Sequence, residues 1–134
     1  MSKSHLFHPS LRQLFCTALI LLPLAASGPV SAAGDAKQGA RDFSAECADC
    51  HSVRQGKNKK GPSLFGVVGR AAGTMPKVRY SDSMRASNIT WTPDRLDAYI
   101  AHPKGVVPKG RMKYDGLNDA RARADIIAFL AQQK

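Results

Sequence analysis

The sequence predicts an all-α domain in which three main helices and long loops wrap around a centre that is not protein. Three observations carry this expectation. Apolar residues recur at helical spacing in three segments, each behind a capping residue. The connections over 52–79 and 103–118 are rich in glycine and proline and show no convincing strand. Loops of that kind are uncommon in compact domains unless they serve a function, and three short helices in so short a chain bury only a thin core.

The 134 residues allow one domain. At 43% hydrophobic and 22% charged the composition is globular, which excludes wholesale disorder. The net charge of +10 excludes an acidic tail protein and points to nucleic acid, an anionic membrane or an acidic protein surface as partner. Three cysteines are too few, and the wrong parity, for a disulfide framework.

Lys3 and Arg12 are the only charged residues before Asp35. An apolar run over 14–26 follows, interrupted by Pro23 and ending in the small residues Ser27, Gly28, Ser31, Ala32 and Ala33. A basic start, a short apolar stretch and a small-residue zone make a secretory signal peptide over 1–33, cut after Ala33. The run is shorter than a bilayer span and carries a proline, which argues against a retained anchor. Removal leaves a domain over 34–134 with charge +8 and two cysteines, Cys47 and Cys50, in an oxidising, periplasmic compartment.

The first helix is expected over 35–50, with Asp35 as N-cap and Ala36, Gly39, Ala40, Phe43 and Cys47 along one face. The second has Thr92 as N-cap, Pro93 at its first position and Asp94 in its first turn, with Leu96, Tyr99 and Ile100 apolar and His102 before Pro103 at its end. The third follows Asn118 or Asp119 and carries Ala122, Ile126, Ile127, Phe129 and Leu130. A short extra helix fits 81–86.

Between the first helix and the first loop stands Cys47-Ala48-Asp49-Cys50-His51, the Cys-x-x-Cys-His attachment signal for c-type haem. Thiols three apart share one helical face and can add to two vinyl groups on one side of a porphyrin, and the next residue can present its imidazole to the iron. A thioredoxin-like pair would need a preceding strand and a parallel sheet. A zinc site would need a second ligand pair that His102 alone does not supply. A disulfide at this spacing would close a tiny loop to little effect. For the sixth iron ligand the mature chain offers Met75, Met84, Met112 and His102. Met112 lies in a basic, glycine- and proline-containing loop that gives a methionine no ordinary core to fill, and is the first candidate, with His102 second.

These features, taken in order, resemble class I c-type cytochromes of the mitochondrial type in their bacterial exported form. The resemblance covers essentially the whole mature chain. It is carried by Gly39 and Phe43, the haem motif, Gly61-Pro62-Ser63-Leu64-Phe65-Gly66-Val67-Val68-Gly69-Arg70 with Gly73, Tyr80-Ser81-Asp82, Ile89-Thr90-Trp91, Tyr99 with Ile100, Pro108 to Met112, and Ile126, Phe129 and Leu130. It implies one haem c held by Cys47 and Cys50, with His51 and Met112 as iron ligands. Pro62 would accept from the free ring nitrogen of His51. Arg70, Tyr80 and Trp91 would bond a buried haem propionate, and Tyr99 would donate to the Met112 sulfur. Gly39 would let the first and last helices cross closely, with Phe43 on Phe129 and Ile126. Two positions depart from the family pattern: Gly110 stands where a threonine is usual and Met84 where an asparagine is often found. Both belong to a polar network near the haem, so a looser Met112 loop, or a compensating bond from elsewhere, is expected.

A histidine and a thioether saturate the iron, which leaves no position for a substrate and, as in cytochromes c generally, raises the reduction potential. The implied function is a soluble monohaem electron carrier, not an enzyme. Two rivals are a dedicated subunit or relay of a periplasmic dehydrogenase or oxidase, and a peroxidase-like enzyme if Met112 is not a ligand. Lys57, Lys59 and Lys60 cluster in one loop and Lys104, Lys109, Arg111 and Lys113 around Met112. In the implied fold both groups border the exposed haem edge, where they would speed encounter with acidic docking surfaces on a membrane cytochrome bc complex, a terminal oxidase or a periplasmic dehydrogenase or reductase. Such a carrier would be a monomer near the membrane only transiently. Nucleic acid is excluded as a partner by export and by the lack of a binding motif.

Overall fold

Asp35 starts the first helix by accepting from the backbone N–H groups of Lys37 and Gln38 at 2.8 and 3.2 Å, which satisfies two of the donors that a helix start leaves free. The computed structural model describes Met1 and residues 34–134; the expected signal peptide lies outside the described residues. Helix α1 spans Ala36–Glu46 and buries Gly39 and Phe43, four apart on one face. It ends earlier than the expected 35–50. Cys47 is its C-cap, and the haem motif is a turn in which Cys50 N–H and His51 N–H both donate to the Cys47 carbonyl, at 3.1 and 2.9 Å.

Helix α2, Asp82–Arg85, is the short helix expected at 81–86; Ser81 caps it and Met84 is its buried residue. Helix α3, Pro93–Ala101, starts on Thr92, whose hydroxyl accepts from Arg95 N–H at 3.3 Å, and ends at His102. A further single turn, α4, follows at Pro103–Val106 and was not expected. The proline that stops α3 sits at the first position of α4, where its missing N–H costs nothing. Helix α5, Ala120–Ala131, is capped by Asp119, which accepts from Arg121 and Ala122, and buries Ile126, Ile127 and Leu130.

Helices α1 and α5 meet backbone to backbone. A Cβ on Gly39 would lie 1.8 Å from the Asp125 carbonyl oxygen, and one on Gly34 would lie 2.1 Å from that of Ala124. Below this contact the Phe43 and Phe129 rings pack with centroids 5.4 Å apart at 49°. Arg123 joins α5 to α3 through Asp97 at 2.7 Å and also holds the Leu117 and Asn118 carbonyls. The described residues form no strand beyond an isolated antiparallel bridge between Ala71 and Thr90. Around it Trp91 N–H donates to Arg70 and Gly69 N–H to Trp91, both at 2.9 Å, so the first long loop is pinned beside the start of α3.

The core among the described residues has nine buried apolar side chains, and thirteen more that pack on them only half-covered. That half-covered set includes Cys47, Leu64, Val68, Tyr80, Tyr99 and Leu117, so the protein alone does not finish its own interior. No helix among the described residues is long and apolar enough to cross a membrane.

Gly39→Ala is therefore expected to destabilise the holoprotein by at least about 2 kcal/mol, since helices must part to admit one methyl group. Guanidinium unfolding measures this, and an unchanged midpoint would show that the helices can separate freely.

Candidate haem site

The end of α1 delivers Cys47 half-buried and Cys50 exposed, both as free thiols. Burial, and then the neighbouring Glu46 and Cys50, push the Cys47 thiol up to about 11. Among the described residues no three His, Cys, Asp or Glu side chains come together as a metal-holding group.

His51 is oriented by the loop that follows it. Its Nδ1 lies 2.8 Å from the Pro62 carbonyl oxygen. A carbonyl only accepts, so Nδ1 carries the proton and Nε2 keeps its lone pair. Burial lowers the pKa of the ring; the Pro62 bond opposes that, and the Lys59 charge adds to it, leaving the neutral form that binds metals. Gly61 makes the approach possible: a Cβ there would lie 2.5 Å from His51 Cε1. The loop is clamped back on the motif by Gly61 N–H to the Cys50 carbonyl at 2.8 Å, Lys59 Nζ to the Ala48 carbonyl at 2.5 Å and Leu64 N–H to Ser52 at 2.8 Å. Ser63, fully buried, donates its hydroxyl to the Arg54 carbonyl at 2.6 Å.

Arg70, Tyr80, Trp91 and Tyr99 form a second group. The backbone pair between Arg70 and Trp91 brings their side chains to one region. The Arg70 guanidinium donates to the Phe65 and Ser63 carbonyls at 2.8 and 2.9 Å, two of its five N–H groups. Burial lowers its pKa, partly offset by Tyr80, and burial raises that of Tyr80. The Trp91 and Tyr99 rings pack with centroids 4.8 Å apart at 46°. The bond expected from Tyr99 to the Met112 sulfur is not formed among the described residues; the ring is held instead against Trp91.

Of the candidate sixth ligands, Met84 is buried in the core, Met75 is half-buried in the first loop, and His102 is an exposed helix cap packed on Gly105. Met112 is half-buried in the loop between α4 and α5. That loop reaches the motif through Tyr114, whose hydroxyl donates to the Glu46 carboxylate at 2.8 Å. Burial, then Glu46, holds the Tyr114 phenol well above its ordinary pKa, so it stays a donor. Glu46, Tyr114, the bond from Lys59 to the Ala48 carbonyl and the contact between Gly61 and His51 were not read from the sequence. Only the lone acid beside Cys47 in a basic chain hinted at Glu46, and nothing local pairs it with a residue 68 positions away.

The donor set fits haem. Two free thiols, a neutral imidazole with one nitrogen committed to Pro62, a guanidinium with donors to spare and a rim of half-covered apolar side chains are what a covalently held, partly charged macrocycle requires. They do not fit a structural zinc ion or a dithiol redox pair.

Comparison with known proteins agrees. The family model for cytochrome c matches residues 36–134. Cytochrome c2 of Rhodopila globiformis is 48% identical over 101 residues, covering 75% of this chain and 95% of that one. The cytochrome cy of Rhodobacter capsulatus is 44% identical over 102 residues, 76% of this chain and 51% of that protein. Among solved structures, cytochrome cH from Methylobacterium extorquens superposes with a TM-score of 0.69 at 38% identity, covering 73% of this chain and 98% of that one.

A methyl group at position 61 has to displace the His51 ring. Gly61→Ala should cost the exported holoprotein about 1–3 kcal/mol of stability, read from thermal or denaturant unfolding. A variant as stable as the parent would mean that the imidazole is not fixed by this contact.

Proposed function

The chain belongs to the cytochrome c family, electron carriers that bind haem c and are not enzymes, and from that premise we propose that it is a His51/Met112-ligated carrier that moves single electrons between larger redox complexes in the periplasm. The observation that carries the reading is the neutral His51, its Nδ1 proton tied to Pro62 at 2.8 Å and its Nε2 left to bind a metal, directly beside two free thiols.

Haem, when bound, supplies one iron that changes its charge by a single electron. The chain's own residues do the rest. Cys47 and Cys50 hold the group covalently, so it is not lost outside the cytoplasm. His51 gives Nε2 to the iron, and the Pro62 carbonyl fixes the ring's orientation and raises its basicity. Met112 would supply a soft thioether as the second protein ligand. With both positions filled there is no site for peroxide or gas, which weighs against the enzyme reading. Arg70, with three N–H groups not used on Phe65 and Ser63, offsets a propionate together with Tyr80 and Trp91.

Recognition is electrostatic. Lys57, Lys59 and Lys60 are exposed in the loop clamped to the motif, and Lys109, Arg111 and Lys113 are exposed around Met112. Lys104 is paired with Asp115 at 3.3 Å, so its charge is partly offset. The patch suits short-lived docking on acidic surfaces of a cytochrome bc complex, a terminal oxidase or a periplasmic dehydrogenase. Removal of 1–33 would leave Gly34, which packs on α5, at the start of the domain.

Two measurements follow. The oxidised holoprotein should be low-spin with a weak sulfur-to-iron band that Met112→Ala abolishes, with a fall in reduction potential; a high-spin parent would overturn the ligand set. Electron transfer to a membrane oxidase should slow by about tenfold or more as salt screens the lysines. A rate indifferent to salt would identify a fixed subunit rather than a diffusing carrier.

A further inference from the structure

Between α4 and α5 the chain runs from 107 to 119 without regular structure, and Met112 lies in its middle. Each end is fastened. Gly110 N–H donates to the Val107 carbonyl at 3.1 Å, and Leu117 N–H to the Ile100 carbonyl at 3.0 Å. Gly116, at φ 117°, packs so closely that a Cβ would lie 2.1 Å from the Ala101 oxygen. Between these points no backbone group of 111–116 bonds to another backbone group among the described residues. The loop also carries strain, because Lys109 adopts φ 59°, a left-handed conformation that a side chain disfavours. Gly110 has no side chain with which to brace it.

Among the described residues two side-chain hydrogen bonds hold the stretch 111–116. Lys104–Asp115 joins groups that are 62% and 100% exposed, a surface pair that water and salt weaken. The other is Tyr114 to Glu46. The donor is half-buried, the acceptor is an exposed carboxylate that makes the bond charge-assisted, and the acceptor's backbone is the last residue of α1, immediately before Cys47. This is the contact that ties the middle of the loop to the rigid end of a helix.

We infer that Tyr114 and Glu46 form a latch that holds the Met112 loop against the end of α1, which makes them positioning residues for the axial sulfur and supplies the bracing that Gly110 and Met84 do not. The inference rests on the reading of Met112 as ligand. The latch acts through geometry alone: breaking it frees the loop to move Met112 away, and an added ligand can then compete for its place. Opening is a population shift, so loss of one hydrogen bond raises the open fraction by the factor that bond is worth.

The test uses the ferric holoprotein with imidazole as competitor. Tyr114→Phe and Glu46→Ala should each raise imidazole affinity by about fivefold to tenfold, and the double variant should match either single one, since both remove the same bond. Exchange of the hydrogen-bonded Gly110 and Leu117 amides, which bound the loop, should speed up by a similar factor, while exchange in α5 stays unchanged. Asp42→Asn, which removes an equal charge one turn earlier on α1, should change neither. Unchanged affinity and exchange in both single variants overturn the latch, and so does an Asp42→Asn effect as large as that of Glu46→Ala. The exchange measurement does not depend on which group ligates the iron. Faster exchange with no sulfur-to-iron band in the parent would reject Met112 as ligand, and with it the positioning role, while leaving the loop contact itself demonstrated.

Discussion

Helices α1 and α5 lie in backbone contact because position 39 has no side chain, and much of the structure depends on that crossing. It sets the height at which α1 ends, and so where the turn carrying Cys47, Cys50 and His51 is presented. Because α5 is also bolted to α3 through Arg123 and Asp97, the same contact relates the motif to Trp91 and Tyr99 on the far side of the site. The half-covered apolar residues that pack on the core leave surface for a bound group to cover. A small domain that relies on a bound macrocycle for part of its core can give long segments to loops without losing cooperativity.

Those loops divide the work. The first presents a carbonyl to His51 and folds Arg70 onto two further carbonyls. The second holds Met112 and the exposed Lys109, Arg111 and Lys113. Neither needs a strand, because each is pinned at intervals by single bonds to the motif or to a helix end. The arrangement keeps the two proposed ligands on elements that are fastened independently, so one can yield while the other stays.

What was legible in the sequence was local. Asp35, Thr92 with Pro93, and Asp119 announced their helices because a cap acts on N–H groups two or three residues away. The Cys-x-x-Cys-His motif was legible because its chemistry is contained in five residues. The end of α1 was overread: helical spacing continues through Cys47, but the chain turns there on bonds to a single carbonyl, which periodicity does not register. Helix α4 was missed because Pro103 reads equally as a stop and as a first position. Arg70 on the Ser63 and Phe65 carbonyls, Gly61 against His51 and Tyr114 on Glu46 depend on loops meeting in space, and no spacing rule reports that.

The account's central claim is that His51 and Met112 hold one iron in both oxidation states and let single electrons pass with little rearrangement. A spectroelectrochemical redox titration of the holoprotein tests it most directly. The account predicts one Nernstian wave with a slope of about 59 mV per decade, at a positive potential and retraced on reoxidation. Two waves, hysteresis between the reductive and oxidative branches, or a negative potential would contradict it.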